Sequence, residues 1–111
     1  MTLHGEIAVD INGNKYTSRL NMNAFRLMCD DCFIALAEID NYMAKKPLTA
    51  IPKMIFWGVM NDADWRGETR PELNFDHFAA HIVSDADTFE KMTNAVVAAM
   101  GGTEGNEEKG N

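Results

Sequence analysis

Along residues 5 to 11, Gly-Glu-Ile-Ala-Val-Asp-Ile, the apolar positions Ile7, Val9 and Ile11 alternate with Glu6, Ala8 and Asp10. A period of two is that of a half-buried strand. Asn12-Gly13 follows, a pair that accepts the positive φ angles of a type I′ turn, and then Tyr16, Ser18 and Leu20 alternate against Lys15, Thr17 and Arg19. The chain therefore predicts an N-terminal β-hairpin. A lone hairpin is marginal in water, so its apolar face needs a helix or another copy of the chain to lie on.

The period then changes. From about Asn23 to Ala44 the pattern predicts one helix, capped by Asn21 or Asn23, stopped by Lys45-Lys46-Pro47 and about 33 Å long. Its stripe is Phe25, Met28 with Cys29, Cys32, Leu36, Ile39 and Met43, and Phe33, Ile34 and Tyr42 fall outside it. A second helix is expected from near Thr49 to about Asn61, with Pro52 tolerated in its first turn. Ile51, Met54, Ile55, Phe56, Trp57, Val59 and Met60 make it apolar on nearly every side, and a strand over Met54 to Val59 is the alternative. Asn61 to Pro71 is polar around Trp65 and reads as a surface loop with the indole tucked against the body. A short helix from Asn74 or Phe75 to Val83 comes next. Ser84 and Asp87 form a capping signal for a last helix with the stripe Phe89, Met92, Val96, Ala99 and Met100, ending at Gly101-Gly102. The fold class expected is α+β, mostly helical: a hairpin followed by three to four α-helices in a single domain, 1–102, with a disordered acidic tail, 103–111.

Charge narrows the function. Seventeen Asp and Glu against ten Lys and Arg give a net charge of −7, a field that repels phosphate backbones and anionic lipid, so neither nucleic acid nor membrane is an expected partner. No apolar run approaches the roughly 20 residues of a membrane span, and the first residues lack the order of a signal peptide. An intracellular setting is expected, with Cys29 and Cys32 as thiols. With 111 residues, one core is the limit and a deep catalytic cavity a poor expectation.

Candidate chemistry is sparse. Cys29-Asp30-Asp31-Cys32 has redox or metal spacing, but two carboxylates in mid helix disfavour a thiolate, so the pair reads as small buried hydrophobes. His77 and His81, at i and i+4, would with the cysteines complete a zinc ligand set. Forty-four residues separate Cys32 from His77, too many for a compact finger, and two histidines on a partly solvated helix face is the first reading. Ser18 and Ser84 lie in no nucleophile turn, there is no phosphate-binding glycine loop, and Asp62 and Asp64 read as an exposed acidic loop. No cofactor and no catalysis are expected. The eight methionines and two long apolar helices instead suggest more apolar surface than one small domain covers. The expected interaction surface is Met54, Ile55, Phe56, Trp57 and Met60, together with the outer side of the first long helix, and a homo-oligomer follows from it.

Gly5-Glu6 and an alternating strand, Asn12-Gly13-x-x-Tyr16, a long helix with acidic residues at its centre and a closing helix pair ending in Gly-Gly resemble the tail assembly chaperones of long-tailed bacteriophages and the related gene transfer agent proteins. The resemblance covers most of residues 5 to 102. It implies a non-enzymatic protein in the cytoplasm of the infected bacterium that binds apolar segments of a tape measure protein, helps recruit tail tube protein subunits, and is not retained in the mature virion. A structural virion component, such as a connector or tail completion subunit, is the alternative. Families of this kind often make a longer product by programmed frameshifting, and Lys109-Gly110-Asn111 written AAG GGA AAC would contain the slippery heptamer GGGAAAC; other codons in the gene would remove that slip site.

Overall fold

A computed structural model of the chain describes residues 5–100. The predicted tail, the Gly101-Gly102 stop and Met1 to His4 lie outside the described residues.

The hairpin forms as its pattern predicts. Strand β1 (Glu6–Ile11) pairs antiparallel with β2 (Asn14–Arg19), Val9 opposite Tyr16 and Ile11 opposite Asn14. Asn12 and Gly13 adopt φ of 56° and 86°, the left-handed pair a type I′ turn requires, and the Asp10 carboxylate accepts the Gly13 N–H at 2.9 Å. Ile7, Val9, Ile11, Ser18 and Leu20 are buried, so one face of the ribbon lies on the core.

The first long helix is two helices. Helix α1 (Met22–Cys32) starts at Asn21, whose side chain accepts the N–H groups of Asn23 and Ala24. It stops at Phe33, a non-glycine residue held at φ 57°, with the Ile34 N–H closing on the Cys29 carbonyl. A single 3-10 turn (Leu36–Glu38) leads into α2 (Ile39–Lys45). The left-handed conformation costs about 1–2 kcal/mol at a non-glycine residue. Folding back there lets α1 and α2 both pack on the next helix and buries Ile39 fully, worth about 1.5–3 kcal/mol, which offsets the strain.

Helix α3 (Pro47–Arg66) is longer at both ends than its apolar run suggested. With Pro47 opening the helix, Pro52 sits in the second turn rather than the first, and removes the N–H that would have bonded the Leu48 carbonyl. Gly67 at φ 71° ends the helix. Helix α4 (Phe75–Val83) lies where a short helix was expected, and Asn74 caps it by accepting the His77 N–H at 2.9 Å. The cap of α5 (Ala86–Ala99) is Asp85, which accepts the Thr88 N–H and hydroxyl; Ser84 belongs to the end of α4.

The architecture is thus α+β and mostly helical, a hairpin followed by five helices, the fifth arising from the break at Phe33. Helix α3 is its axis. It packs against β2, α1, α2, α4 and α5, and the buried apolar side chains around it form one cluster that includes Met28, Ile39, Met54, Ile55, Phe78, Ile82 and Val96.

Candidate interaction surface

The five side chains expected to meet other chains lie on the axis helix, and four of them are core. Met54 and Ile55 are fully buried, and Phe56 and Met60 nearly so. This corrects the expected surface: a helix apolar on every side is buried when enough elements surround it, and here five do. Phe56 meets the rings of Trp57, Phe75 and Phe78 edge to face at 5.3 to 5.6 Å. Trp57 alone is half-buried, and it is committed within the fold. Its indole N–H donates to Asp31 Oδ2 at 3.0 Å, an oxygen that Lys53 also approaches at 2.7 Å. Burial pushes the Asp31 carboxyl up, but Lys53 and Trp57 together outweigh it and hold it below the usual value. A Trp57→Asp substitution would set a second carboxylate beside Asp31 and report on folding rather than on binding.

Of the polar segment read as a loop, Asn61 to Arg66 is the end of α3, and Gly67 to Pro71 lies outside the helices as expected. Asp62 is buried between Arg19, at 3.1 Å, and Arg66, at 2.8 Å, and Asp64 is gripped by Arg70 at 2.9 and 2.7 Å, which keeps its carboxyl low. Neither is a free acidic loop. Asn61, fully buried, is the joint between α3 and the N-terminal half. Its amide nitrogen donates to the Arg19 carbonyl and to Asn21 Oδ1, both at 2.8 Å, and its oxygen accepts from Asn23 Nδ2 at 2.7 Å.

The exposed apolar side chains are elsewhere. Trp65, expected to be tucked in, is 66% exposed on the last turn of α3, with the Arg19 guanidinium 5.0 Å from its ring centre. Met22, at the start of α1, is 63% exposed, and the two border one groove whose floor is Asn21, Asn23, Asn61 and Asp64. Met22 also borders a second groove along α1, lined by Arg26, Cys29, Asp30 and Leu36. Phe33 is 93% exposed at the end of that helix. The outer side of the first long helix, expected to be apolar, is where Met22, Phe33 and Leu36 emerge.

No family model, curated protein or solved structure matches the chain.

The cysteine and histidine pairs stay apart. Among the described residues no three His, Cys, Asp or Glu side chains converge as metal ligands. His77 and His81 lie edge to face, ring centres 4.7 Å apart, on the outer side of α4. Cys29 and Cys32 are half-buried rather than fully buried. Burial raises both thiols; Asp30 and Glu38 add to this at Cys29, and Asp31 adds at Cys32 against Tyr42 and Lys53. Both thiols are expected to alkylate with iodoacetamide more slowly than a cysteine peptide at pH 8, the half-maximal rate lying at higher pH for each. Mass-resolved labelling across pH checks this, and faster labelling of either would restore a reactive-thiol reading.

Proposed function

We propose that this chain is a tail assembly chaperone of the long-tailed phage type, which binds apolar segments of a tape measure protein, helps recruit tail tube subunits, and leaves before the virion is complete. The observation that carries the reading is the groove between Trp65 and Met22. Its floor offers little hydrogen bonding, because Asn61 already uses both amide hydrogens and its oxygen inside the fold. Recognition there falls to an indole and a thioether, which grip apolar side chains with little regard to sequence. That suits a long client with many apolar segments of differing sequence. A net charge of −7 keeps a loaded assembly dispersed.

The placement of the nucleophiles supports binding rather than catalysis. Ser18 is buried and donates to the Ile55 carbonyl at 2.9 Å, Ser84 ends a helix, and burial pushes both thiols above the usual range.

Trp65→Asp is expected to weaken binding of apolar tape measure fragments at least tenfold, about 1.4 kcal/mol or more, with an unchanged circular dichroism spectrum because the ring is exposed. Calorimetric titration of wild type and variant checks it. No binding by the wild type, or equal binding by both, would overturn the reading. Mass spectrometry of purified virions separates it from a structural component, which would remain in the particle.

A further inference from the structure

The outward row of α1 has a symmetry of its own. Its buried side is Ala24, Phe25 and Met28, so the opposite side presents Met22, Arg26 and Asp30 at four-residue intervals, and Phe33, 93% exposed in its left-handed conformation, stands just past the end of the helix about 16 Å from Met22. Apolar residues stand at the two ends and one charge of each sign stands between them. Arg26 and Asp30 are i and i+4 neighbours, yet the guanidinium and carboxylate are 3.8 Å apart, beyond hydrogen-bond distance, with the side chains 60% and 73% exposed. The Arg26 Nε–H is taken by Asn23 Oδ1 at 2.9 Å, while Asp30 accepts no hydrogen bond among the described residues. Elsewhere on the surface the pattern differs: Lys15 with Asp10, Lys53 with Asp31 and Arg70 with Asp64 all close to 2.9 Å or less.

The geometry points to a second copy of this chain as the occupant of the α1 face, the two α1 helices running antiparallel about a two-fold axis near residue 28. Reversing the row about that point sets Arg26 against Asp30 of the other copy and Asp30 against its Arg26, and brings Met22 within one residue of its Phe33. The surface is complementary to itself, as an isologous dimer interface must be, and it is locally neutral in a chain carrying −7. Leu36, across the neighbouring groove, adds apolar area at each end. Together these side chains offer on the order of 500 Å² per copy, less than the roughly 800 Å² of a standard interface, so the pairing is weak and concentration-dependent. It is a low-affinity contact that multivalent assembly on a long client would amplify.

This inference deepens the binding reading above by assigning a self-association face, and its test uses no client, so either measurement can fail without the other. Sedimentation velocity over a hundredfold concentration range is expected to show the wild type passing from monomer to dimer. Arg26→Asp alone and Asp30→Arg alone set like charges against each other in a homodimer, and each should stay monomeric at tenfold higher concentration. Mixed in equal amounts, the two variants should dimerise again, because each then supplies what the other lacks, and the double swap Arg26→Asp/Asp30→Arg should match the wild type. A role confined to the Arg26–Asp30 pair within one chain gives no recovery on mixing. A wild type that stays monomeric, single variants that dimerise like the wild type, or a mixture that stays monomeric would each overturn the proposal. Unchanged circular dichroism spectra for both variants establish that they are folded, as expected for exposed positions.

Discussion

Gly58→Ala is expected to destabilise the protein by about 2–4 kcal/mol, although alanine in mid helix is ordinarily better than glycine by about 1 kcal/mol. Gly58 is where α3 meets the hairpin. A methyl group there would lie 2.0 Å from the Ser18 hydroxyl oxygen, 2.7 Å from a Leu20 methyl and 3.2 Å from the Ser18 β-carbon. The hydroxyl cannot swing away freely, since it donates to the Ile55 carbonyl in a fully buried setting. Overpacking costs about 1–3 kcal/mol and a stranded buried polar group about as much again, which together exceed the gain in helix propensity. Thermal melting should show a midpoint lower by about 10 °C or more for a domain of this size. Adding Ser18→Ala should recover part of the loss, roughly 1 kcal/mol beyond additivity, by removing the nearest atom while Leu20 still obstructs. A melt within 2 °C of the parent would mean that the strands do not sit on α3 at this point.

The second large effect is expected at Asn61. Asn61→Leu keeps the volume near constant and removes three hydrogen bonds at once, stranding the Arg19 carbonyl and the Asn23 amide. At about 1–3 kcal/mol for each buried unpaired group, the loss is about 2–4 kcal/mol. The Asn21 side chain keeps its bonds to the first turn of α1 but loses the one that fixes it to α3. Faster amide exchange at Asn23 and Ala24 should therefore accompany the fall in denaturant midpoint. A midpoint shift without that local change would assign the loss to packing alone.

The hairpin was legible in the sequence because it announces itself locally, through Asn12-Gly13 between alternating runs, and α4 lies where its short run was placed. The break at Phe33 was not, since no glycine, proline or asparagine marks it; it follows from what α2 gains by lying on α3. The polar end of α3 was hidden for a related reason. Asn61 and Asp62 look like loop residues until Asn21, Asn23 and Arg19, about forty positions earlier, are seen to be their partners. The sequence misplaces the interaction surface because apolarity all round a helix marks the centre of the packing and not a surplus to be shared with other chains. The exposed positions Met22, Phe33 and Trp65 carry no such density.

The long span of the bonds between α3 and the first two dozen residues also governs how the chain is made. Ser18 to Ile55, Arg19 to Asp62 and Asn23 to Asn61 close loops of 37 to 43 residues, each opposed by the entropy of a large ring. During translation the hairpin and α1 must leave the ribosome well before the helix that buries them exists. Until residue 61 has cleared the exit tunnel, Ile7, Val9, Phe25 and Met28 have nothing to lie on, and the nascent chain is most open to mispairing in that interval.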